Sequence, residues 1–509
     1  MDRQHSPLRV GISRRIATIL AVCAAMAGCA QGPRYVRPDL ELSNPDGTYA
    51  AAPTDSVTAD GPTAVGPRWW AAFGDTVLNR IVDEALLANH NLEAAVARVL
   101  ESRALLTGSQ SARWPAVEVG ADATRSKFTL AQFGGRGSVY NTLYGASAAA
   151  RYELDLWGRL SRAEEASYAS LLASEEDRRT VAQTLIADVV RAWLEIRALE
   201  CQLALNRRTI ANYQDNLQLV EQRYRRGLVP PVDVHLARQN LSAARASQPQ
   251  GEEALLTARR RLEILAGRYP EGSAARAVTS ADRREASSDR GQSSTGRVEE
   301  ECACRMPPEL APIPAGLPSD LLERRPDIQA AEMRLRAATA RIGEAKAALF
   351  PRLSLTGQAG YRTREFSELF SESASIWSLV GALTAPLLNR GAQKSQIRSA
   401  EARTVAALAA YRGTVLNAFG EVEAALEAER AQQERRGWLL DAVAQARWSL
   451  ELAEERYRRG LEGLLLILDT QRRLYQAESE LIRTEQAYRT ARINLILALG
   501  GPWREGAQP

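Results

Sequence analysis

The sequence predicts a chain of very long α-helices combined with four membrane-type β-strands, built from two copies of one unit. Three observations carry that prediction. The octet Glu221-Gln222-Arg223-Tyr224-Arg225-Arg226-Gly227-Leu228 returns as Glu454-Glu455-Arg456-Tyr457-Arg458-Arg459-Gly460-Leu461, an offset of 233 residues. Four segments alternate apolar and polar residues at period two, the pattern of strands with one wet and one apolar face. Two stretches, Ser161 to Tyr224 and Ala392 to Tyr457, keep helical composition without a single proline.

From the N-terminus, residues 1–28 read as a secretory signal peptide: arginines, then an apolar run from Ile16 to Ala27, then small residues. The run is too short for the roughly 20 residues that span a bilayer. Arg3, Arg9, Arg14 and Arg15 against Asp2 supply +3 of the formal +4. The mature chain is therefore near neutral, which gives no support to nucleic-acid binding. Met26-Ala27-Gly28-Cys29 resembles the bacterial lipobox, so Cys29 is the expected lipidation site. Diacylglycerol on its thiol and an acyl chain (palmitate) on its amine would anchor the chain where one lipid alone is marginal. Ala30 after the cysteine, by resemblance to bacterial lipoproteins, favours the outer membrane. Residues 29–75 follow as an anchored N-terminal segment.

Each repeat, 76–267 and 327–500, reads helix, strand pair, very long helix, return helix. Asn91-Leu92-Glu93-Ala94-Ala95 matches Asp327-Ile328-Gln329-Ala330-Ala331, and Trp157-Gly158-Arg159 matches Leu388-Asn389-Arg390. The opening helices, from Asp75 to Arg113 and Asp327 to Leu349, end at Trp114-Pro115 and Phe350-Pro351, where proline disfavours helix at and before itself. Strands are expected at about 115–128, 142–157, 351–363 and 375–388, with the glycine-rich Gly134 to Ser138 and the stretch Arg364 to Ser375 as loops. The glycine cluster lacks the lysine and the strand–helix setting of a phosphate cradle. The long helices would each span about 96 Å, and their charge-rich antiparallel partners, near Val232 to Gly267 and Leu464 to Gly500, imply coiled-coil packing. Residues 268–326 read as a linker, and 501–509 as a tail.

Of five cysteines, Cys23 leaves with the leader, Cys29 is the anchor and Cys201 sits alone in a helical pattern as a core residue. Cys302 and Cys304, one residue apart in the linker, have poor zinc spacing; a disulfide between chains, or no bond, fits better. No metal or cofactor is expected. An enzyme finds no foothold: His5, His90 and His235 are the only histidines, and His90-Asn91-Leu92-Glu93 lacks a second one.

Four strands leave two unpaired edges, which lipid does not tolerate. Chains must share a barrel: two would give eight strands with a filled interior, three would give twelve with room for a passage. The residues alone choose neither.

The lipobox with Gly32-Pro33 and Tyr35-Val36-Arg37-Pro38, the duplicated halves, and Leu317-Pro318-Ser319-Asp320-Leu321-Leu322-Glu323-Arg324-Arg325-Pro326-Asp327-Ile328 resemble the outer-membrane factors of tripartite efflux systems. The likeness is to the TolC-like superfamily, and within it to the NodT-type lipoprotein branch paired with resistance–nodulation–division pumps. The resemblance implies a homotrimer whose twelve-stranded outer-membrane β-barrel continues as a periplasmic α-helical barrel. It also implies an equatorial belt, a periplasmic adaptor and an inner-membrane transporter as partners. The expected function is the exit channel of an efflux pump. Metal-ion efflux, type I protein secretion and a channel-less coiled-coil lipoprotein are the rival readings.

The resemblance also assigns residues. Arg226-Gly227-Leu228 and Arg459-Gly460-Leu461 match the tip motifs that meet the adaptor, and glycine there also suits a helix cap. Leu465 and Asp469 match positions that narrow the periplasmic entrance; four apart, they share a helical face. In a trimer each would form a ring, one apolar and one of carboxylates that favours cations. Asp233, six residues after Gly227, matches an acidic position of the first repeat. The plainer alternative is that Asp469 pairs with Arg472 or Arg473.

Overall fold

Proline and glycine set the element boundaries in this chain, and the hydrogen-bonding side chains beside them set the joints. The computed structural model describes residues 31–39, 49–51, 67–129, 137–273, 306–310, 318–387 and 390–501. The signal peptide 1–28, Cys29, Cys302, Cys304, the stretch Gly134 to Arg136 and the tail from 502 lie outside them. In chain order the elements are α1 (Thr76–Ala88), α2 (His90–Ser111), β1 (Ala116–Thr129), β2 (Ser138–Leu154), α3 (Arg159–Arg225) and α4 (Pro231–Leu265). There follow α5 (Pro318–Arg324), α6 (Pro326–Ala347), β3 (Arg352–Thr363), β4 (Ser375–Thr384), α7 (Arg390–Arg458) and α8 (Leu464–Ala498).

The opening helix of the first repeat is two helices rather than one. Asn89 leaves helical backbone, with φ −74° and ψ 121°, and its Oδ1 accepts from the amides of Asn91 and Leu92, which is an N-cap. The strand limits also differ from the expected ones. β2 starts at Ser138, inside the stretch read as loop, because Thr129 of β1 still has a partner there. It stops at Leu154, where Asp155 turns to cap α3, accepting from the amides of Leu160 and Ser161. β4 stops at Thr384, opposite the first residue of β3 and two residues before Pro386, which has no N–H for a ladder.

The four strands form one antiparallel sheet in sequence order. Its register sorts the side chains onto two faces. Val117 pairs with Ala150, Val119 with Ala148, Tyr152 with Leu355, Leu353 with Leu383 and Ala359 with Trp377. The alternate positions pair Glu118 with Ala149, Gly120 with Ser147 and Gln358 with Ser378. The polar face carries loose ion pairs, Glu118–Arg151 at 3.7 Å and Asp122–Arg362 at 3.9 Å. On the apolar face Val119 and Trp377 are more than four-fifths exposed. Apolar side chains left so bare on a strand face require a lipid or protein neighbour.

The chain divides into two compact units, residues 1–39, 97–175 and 329–413 forming one and 40–96, 176–328 and 414–509 the other. In the first, besides the sheet, the segment 31–39 is pinned to α6: Tyr35 Oη donates to Glu332 at 3.0 Å and Arg37 at 2.7 Å. Burial, reinforced by the Glu332 charge, pushes the Tyr35 hydroxyl well above the usual tyrosine range. In the second unit the core sits on the middle of α3. Ile186, Val190 and Trp193 pack with Trp70 and Val82 from the N-terminal side, Leu262 of α4 and Ile493 of α8.

Also in the second unit, the end of α4 is joined to the start of α2. Asn89 Nδ2 donates to Leu265 O at 2.9 Å, and Gly267, at φ +71°, passes so close that a Cβ would lie 2.2 Å from Ala88 O. The second repeat makes the corresponding joint with a different residue: the buried Arg325 donates to Ala498 O at 3.0 Å and grips Asp327. Cys201 is buried, as a core residue should be, and is disulfide-bonded.

Candidate functional site: the twin helical tips

The two copies of the octet build two turns of the same design. Gly227 and Gly460 adopt φ of +71° and +74°. The amide of Leu228 reaches Arg223 O and that of Gly227 reaches Tyr224 O; Leu461 and Gly460 repeat this to Arg456 O and Tyr457 O. These are Schellman caps, which satisfy carbonyls that a helix end would otherwise leave open. Arg226, Leu228, Arg459 and Leu461 stand exposed on these turns.

The copies part company in their packing. Tyr457 is 3% exposed, whereas Tyr224 is 46% exposed. Arg223 makes the difference: its guanidinium lies 4.0 Å from the centre of the Tyr457 ring and donates to Tyr457 O at 3.1 Å. Arg456, its counterpart, pairs instead with Glu462 of its own turn at 2.9 Å. Val220, Val234, Leu464, Ile467 and Leu468 close an apolar cluster around Tyr457. Further along, Asn216 donates to Gln471 at 2.8 Å, and Glu478 takes both Arg208 and Arg447, the latter at 3.0 Å.

This packing buries one side of α8 and leaves the other bare. Leu464, Ile467, Leu468 and Gln471 are inside. Leu465, 70% exposed, and Asp469 share the open side with Arg472 and Arg473. Asp469 is not a naked carboxylate: one oxygen accepts from Arg472 and the other from Arg473, both at 2.7 Å. The bonds from Arg473 and Arg472 hold its carboxyl below the usual range. Two guanidinium groups against one carboxylate leave this group of three with a net positive charge. Asp233 lies in the first turn of α4, where the helix dipole favours an acid.

Higher on the same hairpin, residues 306–310 are held by arginines of α8 and α7. Arg489 donates to Pro307 O at 2.9 Å, Arg492 to Leu310 O at 2.8 Å, and Arg436 pairs with Glu309 at 2.8 Å. Burial alone would raise Glu485 beside them, but bonds from Arg489 and Arg436 outweigh it and its carboxyl is lowered. Sequence reasoning missed these arginines, Asn89, Arg325 and the Arg223–Tyr457 contact. An asparagine just before a helical run was a readable cap signal; the others depend on partners hundreds of positions away.

A one-faced sheet with two open edges, long charged helices and exposed capped tips define a subunit of a membrane duct. The chain belongs to the outer membrane efflux protein family, whose profile matches residues 81–268 and 317–501. It is 34% identical over 446 residues to the pyoverdine export outer membrane protein OpmQ of Pseudomonas putida, covering 86% of this chain and 88% of that one. To the outer membrane protein OprJ of Pseudomonas aeruginosa it is 32% identical over 488 residues, 96% of each chain. Among solved structures, the outer-membrane channel OprN superposes with a TM-score of 0.80 at 30% identity, covering 93% of this chain and all of that one. The open state of the Neisseria gonorrhoeae MtrE channel gives 0.76 at 25%, covering 94% and 100%. The family is a non-enzymatic class of trimeric outer-membrane channels, and this chain contributes four strands to the shared barrel. It acts as the outer-membrane exit of a tripartite efflux pump, together with an adaptor and an inner-membrane pump.

Proposed function

We propose that the two capped turns are the docking and gating end of this exit duct. Arg226-Gly227-Leu228 and Arg459-Gly460-Leu461 meet the hairpins of the periplasmic adaptor, and the open side of α8, with Leu465 and Asp469, narrows the entrance together with Asp233. The observation that carries the reading is the one-sided burial of α8. Leu464, Ile467 and Leu468 are fixed against Tyr457 and its cluster, and the opposite face holds both entrance residues. A ring of leucines resists wetting. The pump behind the duct is of the resistance–nodulation–division type, and Cys29 is the lipid tether to the outer membrane. The pump selects cargo, and the names of relatives, which run from pyoverdine export to toluene efflux, support a duct that discriminates little.

The test is single-channel recording of reconstituted trimers. Leu465→Ser with Asp469→Ala should raise conductance; an unchanged value in trimers of normal gel mobility would overturn the gate assignment. Labelling with radioactive palmitate, abolished by Cys29→Ser, tests the anchor.

A further inference from the structure

The helix limits at the tips repeat at the offset of 233 without slippage: α3 ends at Arg225 and α7 at Arg458, while α4 spans Pro231–Leu265 and α8 Leu464–Ala498. Two hairpins of equal build therefore meet inside each chain, along one seam. There α3 lies against α8 and the end of α7, through Arg208 with Glu478 and Arg223 with Tyr457. A closed trimer has as many seams between chains as within them. At a seam between chains, α7 of one copy must face α4 and the end of α3 of the next. Moving these two contacts by one repeat shows what meets there. Arg208 becomes Asp441 and Glu478 becomes Arg245; Arg223 becomes Arg456 and Tyr457 becomes Tyr224. The charge pair survives with its signs exchanged. Duplication alone does not require that, since drift in one partner would leave like charges or none.

We propose that a second copy of this chain covers the exposed side of α4 with its α7, joined by Asp441 to the partner's Arg245 and by Arg456 over the partner's Tyr224. Within the single chain these positions are uncovered. Asp441 and Arg245 are exposed, Asp441 accepting from the side-chain amide of Gln445 at 3.3 Å, and the Tyr224 ring stands open where its twin is buried. The two seams differ in what surrounds these pairs: the internal Asn216–Gln471 bond becomes Ser449 opposite Arg238, and Arg456 has a competitor that Arg223 lacks. Glu462 holds Arg456 on its own turn, whereas the matching residue in the first repeat is Val229, so Arg223 meets no such rival there. The seam between chains is accordingly the weaker of the two and the one that parts when the entrance opens, a role that rests on the gate reading above.

Outer membranes carrying Asp441→Cys with Arg245→Cys, treated with a short bis-maleimide linker, should give dimer and trimer bands on denaturing gels. Arg208→Cys with Glu478→Cys should give monomer only, and single variants should match wild type. Monomer alone from the first pair, in preparations that migrate as trimers before heating, would overturn the proposal. In single-channel recordings Tyr224→Ala should raise conductance and Glu462→Val should lower it. If Leu465→Ser with Asp469→Ala raises conductance while these two leave it flat, the seam has no part in opening. If cross-links form but the entrance double variant changes nothing, the seam stands and the gate reading fails.

Discussion

Replacing Gly460 isolates what the tip turn does from what its surface does. At φ +74° a Cβ is strained, but a Cβ built there meets nothing within 4 Å. The cost of Gly460→Ala is therefore backbone strain alone, about 1–2 kcal/mol per chain, with no clash to add. Gly227 at φ +71° has the same open surroundings and should behave alike. Asn tolerates the left-handed region better than Ala, so Gly460→Asn should fall between wild type and Gly460→Ala. None of these variants removes the bonds from Gly460 N and Leu461 N to the helix carbonyls, so trimers should assemble. The assay is the guanidinium midpoint for loss of the heat-sensitive trimer band, compared across the three variants. Leu461→Asp, which keeps the glycine, should leave that midpoint within about 0.5 kcal/mol of wild type, as surface changes usually do, yet weaken adaptor binding in a surface-immobilised assay. Equal midpoints for wild type and Gly460→Ala would refute the strain argument, and full adaptor affinity in Leu461→Asp would refute the docking assignment.

Other outcomes follow from single contacts. Asn89→Ala loses an N-cap, about 1 kcal/mol, and leaves Leu265 O without this donor, about 1–3 kcal/mol. Chemical unfolding should register about 2–4 kcal/mol, and a change under about 1 would sink the joint. The lowered carboxyl of Asp469 stays charged until pH falls through a value below its ordinary 3.8. Its contribution is present above that range and lost only beneath it, so conductance should be flat from about pH 7 to pH 5. A step at or above the ordinary 3.8 would mean that Arg472 and Arg473 do not hold it. Peptide mapping of unreduced protein should return Cys201 in a disulfide, as an oxidising compartment permits; a freely alkylated Cys201 contradicts the structure.

The faces of the strands and the long helices were legible because each rests on a local rule: alternation for Val117 and Val119, absence of proline for α3 and α7. Boundaries were less so. Ser138 belongs to β2 only because Thr129 waits opposite it, and one helix became two at Asn89 because its side chain serves both the next helix and the end of α4. Arg325 was visible within a motif, but its work, gripping Ala498 O from 173 positions away, has no signature in its neighbours.

The sequence by itself determined that the tips are copies. Cap geometry is settled within six residues by a glycine free to take positive φ, and both octets carry it. Only the tertiary structure decided that the copies are unequal. Tyr224 and Tyr457 have the same kind of neighbours in sequence, but Arg223 and α8 bury one, and none of the described residues covers the other to that degree. Burial is a property of what packs alongside, and two matching segments in one chain cannot both lie on the same side of each other.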